Sequence, residues 1–191
     1  MQGNSPAKSE YVAIDFETAN ERRDSACALG IAVVDAGRIV EQRSWLIRPP
    51  GMRFNSINIS IHGIRPADVE NAPRFVELWP TISTYLEGNT VIAHNAPFDM
   101  GVLAGTLGAY DIPSPDFDYS CTCTIARNVW PMLPNHKLHV VAAHLGIDFS
   151  HHDACDDAMA AATIAIRACE ETGAESLNAL VGSLSIRRRR F

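Results

Sequence analysis

Asp15 and Glu17 stand either side of Phe16 at the end of the apolar run Tyr11–Phe16. The run is short and rich in β-formers, so it reads as a strand. Alternation along it puts both carboxylates on one face and Ile14 and Phe16 on the other. Two carboxylates ~4 Å apart repel by ~4 kcal/mol at an effective dielectric of ~20. A hard divalent cation with carboxylate ligands relieves that repulsion, and solvation at a free strand end relieves it equally well. A further acid, Asp99, follows the strand-like Val91–Ala93 and falls in the first turn of a helix opened by Pro97. The helix dipole favours an anion there, which is the simplest reading of Asp99 alone. Its position adds another: loops at strand ends carry ligands in open α/β sheets, and His94 and Asn95 bring polar groups to the same point.

The third constellation is His151-His152-Asp153-Ala154-Cys155-Asp156-Asp157. A histidine five residues before an aspartate cannot share its helical face, so the histidine belongs to a preceding loop and the aspartate to the helix, which suits a general base beside a fixed ligand. The spacing alone fits His151 with Asp156 as well as His152 with Asp157. Helical phase separates them: Asp157 is followed at +4, +7, +8 and +11 by Ala161, Ile164, Ala165 and Ala168, whereas Asp156 leads to Ala160, Thr163 and Arg167. Asp157 therefore lies on a buried stripe, where an acid is costly unless paired or metal-bound.

The elements that must position these groups are legible in outline. After the first strand, Ala26–Val34 and Arg38–Ile47 flank Asp35-Ala36-Gly37 as a hairpin. The first arm is apolar on both faces, as in a central strand, and the second, with Glu41, Gln42 and Arg43, is an edge. An irregular stretch is expected from Gly51 to about Ile64. A helix follows over Arg74–Leu86, then a strand at Val91–Ala93, a helix from Pro97 to about Gly108, a brief strand near Phe117–Ser120 and a helix to Val129. Leu138, Val141, Ala142 and Leu145 mark another helix, and Ala154–Glu170 the longest. The fold class is α/β: a mixed five-stranded sheet, three antiparallel strands plus two parallel, with helices on both faces.

Composition bounds the function. The chain has 191 residues, with Lys+Arg 16 against Asp+Glu 22 and a net charge of -6, which excludes nucleic-acid binding through a broadly basic surface. The apolar content supports one sizeable core. No apolar run is long enough for a membrane span, and the polar residues 1–9 read as a loose leader without a secretory core. Five scattered cysteines suit reduced thiols in the cytoplasm. The C-x-C pair Cys121 and Cys123 lacks a second ligand pair and is read as ordinary thiols, and His136, His139 and His144 as solvated. Arg187–Arg190 belong to a basic tail over 182–191, of the kind that is usually disordered, with a weak phosphate contact or a junction to a further domain as the alternatives.

The three constellations together, DFET with Asp15 and Glu17, HNAPFD with Asp99, and H-x4-D with His152 and Asp157, resemble the motifs of the DEDDh (DnaQ-like) 3′–5′ exonucleases. The tyrosine branch of that superfamily is disfavoured, because Asp153 stands four before Asp157. The resemblance implies a ribonuclease H-like fold over residues 10–181 and a two-metal mechanism with Mg²⁺ or Mn²⁺. It implies that Asp15, Glu17 and Asp157 hold one ion, that Asp15 bridges to a second positioned by Asp99 through water, and that His152 deprotonates the attacking water. Ile61-His62-Gly63-Ile64 matches a segment lining the family's nucleotide pocket, which implicates His62. Thr18 and Ala19 occupy positions that meet the terminal 3′ nucleotide, although the family's Thr-Gly is absent. Asn95 is a further contact candidate, and Phe98 fits either stacking on a base or a place in the core. The implied activity is removal of nucleoside 5′-monophosphates from single-stranded 3′ ends, DNA favoured. Alternatives are a 3′ exoribonuclease that trims RNA and a non-catalytic module binding nucleic acid or a polymerase. A polymerase or repair factor is the implied protein partner. The acidic balance predicts a short footprint and a small salt slope.

Overall fold

The computed structural model describes residues 10–191, so the expected leader at 1–9 lies outside the described residues. The strands are β1 (Tyr11–Thr18), β2 (Ala26–Asp35), β3 (Arg38–Leu46), β4 (Thr90–Ala93), β5 (Asp118–Cys121) and β6 (Arg189–Arg190). The helices are α1 (Ser56–His62), α2 (Pro66–Val69), α3 (Phe75–Leu86), α4 (Pro97–Ala109), α5 (Thr122–Val129), α6 (Leu138–Leu145), α7 (Ala154–Thr172) and α8 (Leu177–Ser183). Among the described residues the strands form one sheet in the order β3-β2-β1-β4-β5-β6. β1, β2 and β3 run antiparallel, while β4 is parallel to β1 and β5 to β4.

The hairpin turns at Ala36 and Gly37, both at positive φ (48° and 68°), the conformation that matches the twist of the flanking strands. β2 is buried along nearly its whole length and β3 is largely exposed, as expected of a centre and an edge. Alternation on β1 divides the core. Val12, Ile14 and Phe16 pack with Phe75, Ile82 and Leu103 under α3 and α4. Tyr11 and Ala13 pack with Ala161, Ile164 and Ala165 under α7. Asp15 and Glu17, in phase with Tyr11 and Ala13, consequently face the α7 layer.

Two expectations are corrected. The stretch near Gly51–Ile64 contains α1, capped by the Asn55 side chain, which accepts from the Ile57 N–H, and closed by Gly63 at φ 77°. None of its residues is buried, so it carries no apolar stripe, and its signal lies in the caps alone. The sheet has six strands rather than five: the basic tail returns to pair antiparallel with β5 through Asp118–Arg190 and Tyr119–Arg189. A run of like charge carries no strand periodicity, and the pairing depends on neighbours that are apolar. Ile186 packs against the α7-side core and Phe191 stacks on Phe117 at 4.8 Å.

Candidate active site

The acid cluster forms where three elements end together. On β1, Asp15 lies opposite Gly30 of β2. A Cβ on Gly30 would meet the Ala154 carbonyl oxygen at 1.9 Å, so the first turn of α7 rests directly on the glycine backbone. This contact seats Asp157, one turn into α7 and 4% exposed, above β1. Ligand oxygens of Asp15, Glu17 and Asp157 all lie within 4.8 Å of one another. Asp99 stands just outside that trio. It is 1% exposed, and its Oδ1 accepts from the Phe16 N–H at 3.0 Å, satisfying a backbone donor beyond the end of short β4.

Burial and mutual repulsion dominate the electrostatics of the cluster. Burial, then Asp99, Asp157 and Glu17, push the Asp15 carboxyl well above the usual range. Burial and the Asp157 and Asp99 charges push Glu17 up to about 8. Asp99 is raised by burial against the opposing Phe16 hydrogen bond, and Asp157 by burial against its contacts to His151. Converging carboxylates at a buried strand end fit divalent cations.

Both histidines of the loop before α7 contact Asp157, in different ways. The His151 ring reaches it from Nδ1 to Oδ1 at 3.1 Å, whereas His152 donates its backbone N–H to Oδ2 at 3.2 Å. The two rings stack at 3.8 Å, and His152 has a positive φ of 71°. Asp153 caps α7 by accepting from the Cys155 and Asp156 N–H groups, and Asp156 ties the loop down by accepting from Ser150. Helical phase thus separates the two acids correctly: Asp157 faces the sheet and Asp156 serves the loop. Burial, then the neighbouring His151, holds His152 below the usual histidine range.

The remaining candidates lie on α1, at the end of β1 and at the start of α4. Asn58 donates to the Thr18 carbonyl at 2.9 Å and to its hydroxyl at 3.1 Å. His62 Nε2 lies 3.1 Å from the same carbonyl, and the Ile64 N–H donates to Nδ1 at 3.0 Å. This pair of contacts selects the neutral tautomer with the proton on Nε2, so His62 joins α1 to the end of β1. Ala19 is fully buried, its N–H donating to Ser25 and its carbonyl accepting from Asn55. Asn95 is exposed at φ 71°, a left-handed position that asparagine tolerates. Phe98 falls between its two sequence readings: it is half-buried, with the Arg23 guanidinium 4.6 Å above its ring.

His94 is a strut, bonded from Nδ1 to the Thr122 hydroxyl at 3.0 Å and from Nε2 to the His136 carbonyl at 2.8 Å. His136, expected to be solvated, is half-buried and contacts the Trp130 carbonyl through Nε2 at 2.9 Å. Sequence reasoning passed over Gly30, Asn58 and Arg23. A glycine inside an apolar strand marks close backbone approach, and that signal was present at Gly30. Asn58 and Arg23 carry no pattern of their own.

The family model described as Exonuclease, RNase T, matches residues 12–165. The DNA polymerase III PolC-type protein of Clostridium perfringens (strain 13) is 32% identical over 165 residues, covering 81% of this chain and 11% of its own length. The chain thus spans about a tenth of that relative. Exonuclease X, solved in complex with 5′ overhanging duplex DNA, superposes with a TM-score of 0.73 at 24% identity, covering 90% of this chain and 99% of that one. The nuclease domain of 3′hExo, described as a DEDDh family member bound to rAMP, gives 0.73 at 19% identity, covering 89% and 96%. These likenesses carry the ribonuclease H-like fold.

Proposed function

From its membership of the RNase T exonuclease family, we propose that this chain is a metal-dependent 3′–5′ exonuclease that releases nucleoside 5′-monophosphates from single-stranded 3′ ends. The observation that carries the reading is the convergence of Asp15, Glu17 and Asp157 within 4.8 Å. In this reading Asp15, Glu17 and Asp157 would hold one Mg²⁺ or Mn²⁺, and Asp15 and Asp99 would help to hold a second. Bound there, such ions supply charge that stabilises the attacking and leaving oxygens of an in-line displacement. His152, kept neutral by burial and by His151, takes the proton of the attacking water on its ring. The bond from phosphorus to the 3′ oxygen breaks, leaving a 5′-monophosphate and a new 3′-hydroxyl. Thr18, His62, Asn95 and Phe98 are the residues assigned to the terminal nucleotide, whereas Ala19, fully buried with its N–H and carbonyl bonded inside the protein, supports them from behind.

DNA is the favoured substrate, in keeping with likeness to a stretch of a DNA polymerase, which also supports a polymerase or repair factor as partner. The rAMP held by one structural neighbour supports the ribonucleotide alternative, and initial rates on matched DNA and RNA oligomers decide between them. Five free cysteines support a cytoplasmic site of action. Among the described residues no helix is long and apolar enough to cross a membrane. Degradation of a 5′-labelled oligonucleotide with Mg²⁺ or Mn²⁺ tests the activity: a ladder shortening from the 3′ end is expected, abolished by EDTA, and turnover that survives EDTA overturns the reading.

A further inference from the structure

A cleft of about 1010 Å³ opens past the C-terminal ends of β4 and β5, which run parallel to β1, so it lies on the same edge of the sheet as Asp15 and Glu17. It starts at Asn95 and Pro97, just before Asp99, passes Thr124 and Arg127 of α5, and runs under the segment Leu184–Arg190. That segment is anchored on both sides of the sheet. Ile186 packs on the α7-side core, and its N–H donates to the Val181 carbonyl at 3.0 Å. Phe191 stacks flat on Phe117, at 4.8 Å and 8°, and its N–H donates to the Phe117 carbonyl at 3.0 Å. Between these anchors Arg187, Arg188, Arg189 and Arg190 are exposed. Arg190 pairs with Asp116, whereas Arg127, Arg187, Arg188 and Arg189 have no ion pair among the described residues. A protein of net charge -6 thus concentrates four guanidinium groups without ion pairs in one cleft, on the sheet edge that also carries its acid site.

We propose that this cleft binds the phosphodiester backbone of the strand whose 3′ end occupies the acid cluster, on the 5′ side of the scissile bond. The inference rests on the exonuclease reading. Its chemistry follows from the residues: guanidinium forks match phosphate oxygens, and a segment fixed by apolar anchors presents them without an ordering cost at each encounter. Successive anions along one track, not a single bound ion, are what several arginines in a row along an open cleft accommodate. The small salt slope expected from overall charge is therefore too low: three further phosphate contacts on a single strand add about 2 to it.

The test separates the two readings. Turnover of a thymidine dinucleotide with Mg²⁺ reports the acid site alone, because its one phosphate is the scissile group and none lies on the 5′ side for the arginines to bind. Anisotropy of a 5′-labelled thymidine dodecamer on Asp157→Asn protein reports the cleft. Combined Arg187→Ala, Arg188→Ala and Arg189→Ala substitutions are expected to weaken dodecamer affinity about tenfold near 0.1 M salt and to lower the salt slope by about 2. The corresponding lysine substitutions are expected to keep most of the slope. In the otherwise native chain, the alanine substitutions leave dinucleotide turnover unchanged. Dodecamer affinity and slope that do not respond to them overturn the proposal, as does a dodecamer bound no better than the dinucleotide. Absence of turnover on both substrates by the native chain overturns the exonuclease reading instead, and the binding series still decides the cleft.

Discussion

On the β1 side of the sheet edge, charge is buried and gathered from distant parts of the chain: Asp15 and Glu17 from β1, Asp99 from α4 and Asp157 from α7. On the β5–β6 side it sits on consecutive exposed residues, Arg187–Arg190, held by the pairing of Arg189 and Arg190 with β5, by the Arg190–Asp116 ion pair and by the apolar anchors on either side. Buried like charges strain the fold until a counter-ion arrives, so each acid is expected to trade stability against turnover. Exposed arginines cost the fold little, so their substitution is expected to change affinity alone.

The largest effect that sharpens this contrast is at Asp157. Asp157→Asn is expected to lower turnover of a labelled oligonucleotide by roughly a thousandfold or more, because it removes a ligand on which charge stabilisation depends. The same substitution relieves repulsion with Asp15 and Glu17, so the thermal midpoint in EDTA is expected to hold or rise. A variant that is inactive because it has unfolded would break the comparison. Next is Gly30, which bears no charge yet sets the distance between the carboxylates. Gly30→Ala drives a Cβ into the α7 backbone, 1.9 Å from the Ala154 carbonyl oxygen, and is expected to cost about 3 kcal/mol or more in urea unfolding, together with most of the activity.

The metal-free protein provides a third test through pH. Glu17 is pushed up to about 8 from 4.5, and Asp15 and Asp99 move in the same direction. A carboxyl raised in the folded state binds its proton more tightly there than in the unfolded chain, so stability is lost as pH rises from about 4.5 through about 8. In EDTA the thermal midpoint is expected to fall between pH 5 and pH 8, and millimolar Mg²⁺ to restore it at pH 8 by binding the native state. A midpoint that is flat over this window, or indifferent to Mg²⁺, would mean that the acids are already compensated.

Within the loop before α7, His151 and His152 allow a finer distinction. His152→Ala is expected to cost about a hundredfold in turnover, the scale of a general base. His151→Ala removes the ring held against Asp157 at 3.1 Å and is expected to cost about tenfold or less, a positioning effect. The reverse order of losses would assign the proton transfer to His151. Circular dichroism of both variants would exclude unfolding as the cause.

The unequal legibility of the two sides has a physical basis. Strand alternation already puts Asp15 and Glu17 on one face, and helical phase already singles out Asp157, because those periodicities belong to local backbone geometry. The depth of Asp99 and the contact of α7 with Gly30 depend on how helices pack on the sheet, which no local period encodes. α1 was missed because its apolar side chains, Ile57 at 65% and Ile61 at 47% exposed, form no buried face. β6 was missed because its two residues are both arginine, and the information that folds them lies in Ile186, Phe117 and Phe191.

That last point yields the smallest and most specific prediction. If the arginine segment binds phosphate because it is preorganised, Phe191→Ala should weaken the thymidine dodecamer about threefold although every charge remains, since freed side chains must be ordered on binding. The ring stacks on Phe117 at 4.8 Å and is only partly buried, so the cost to global stability is expected to stay near 1 kcal/mol. Amide hydrogen exchange at Arg189 and Phe191 is expected to quicken while exchange in β1 and α7 does not. Dodecamer affinity that is unchanged while the segment exchanges freely would show that its charge matters and its fixed geometry does not.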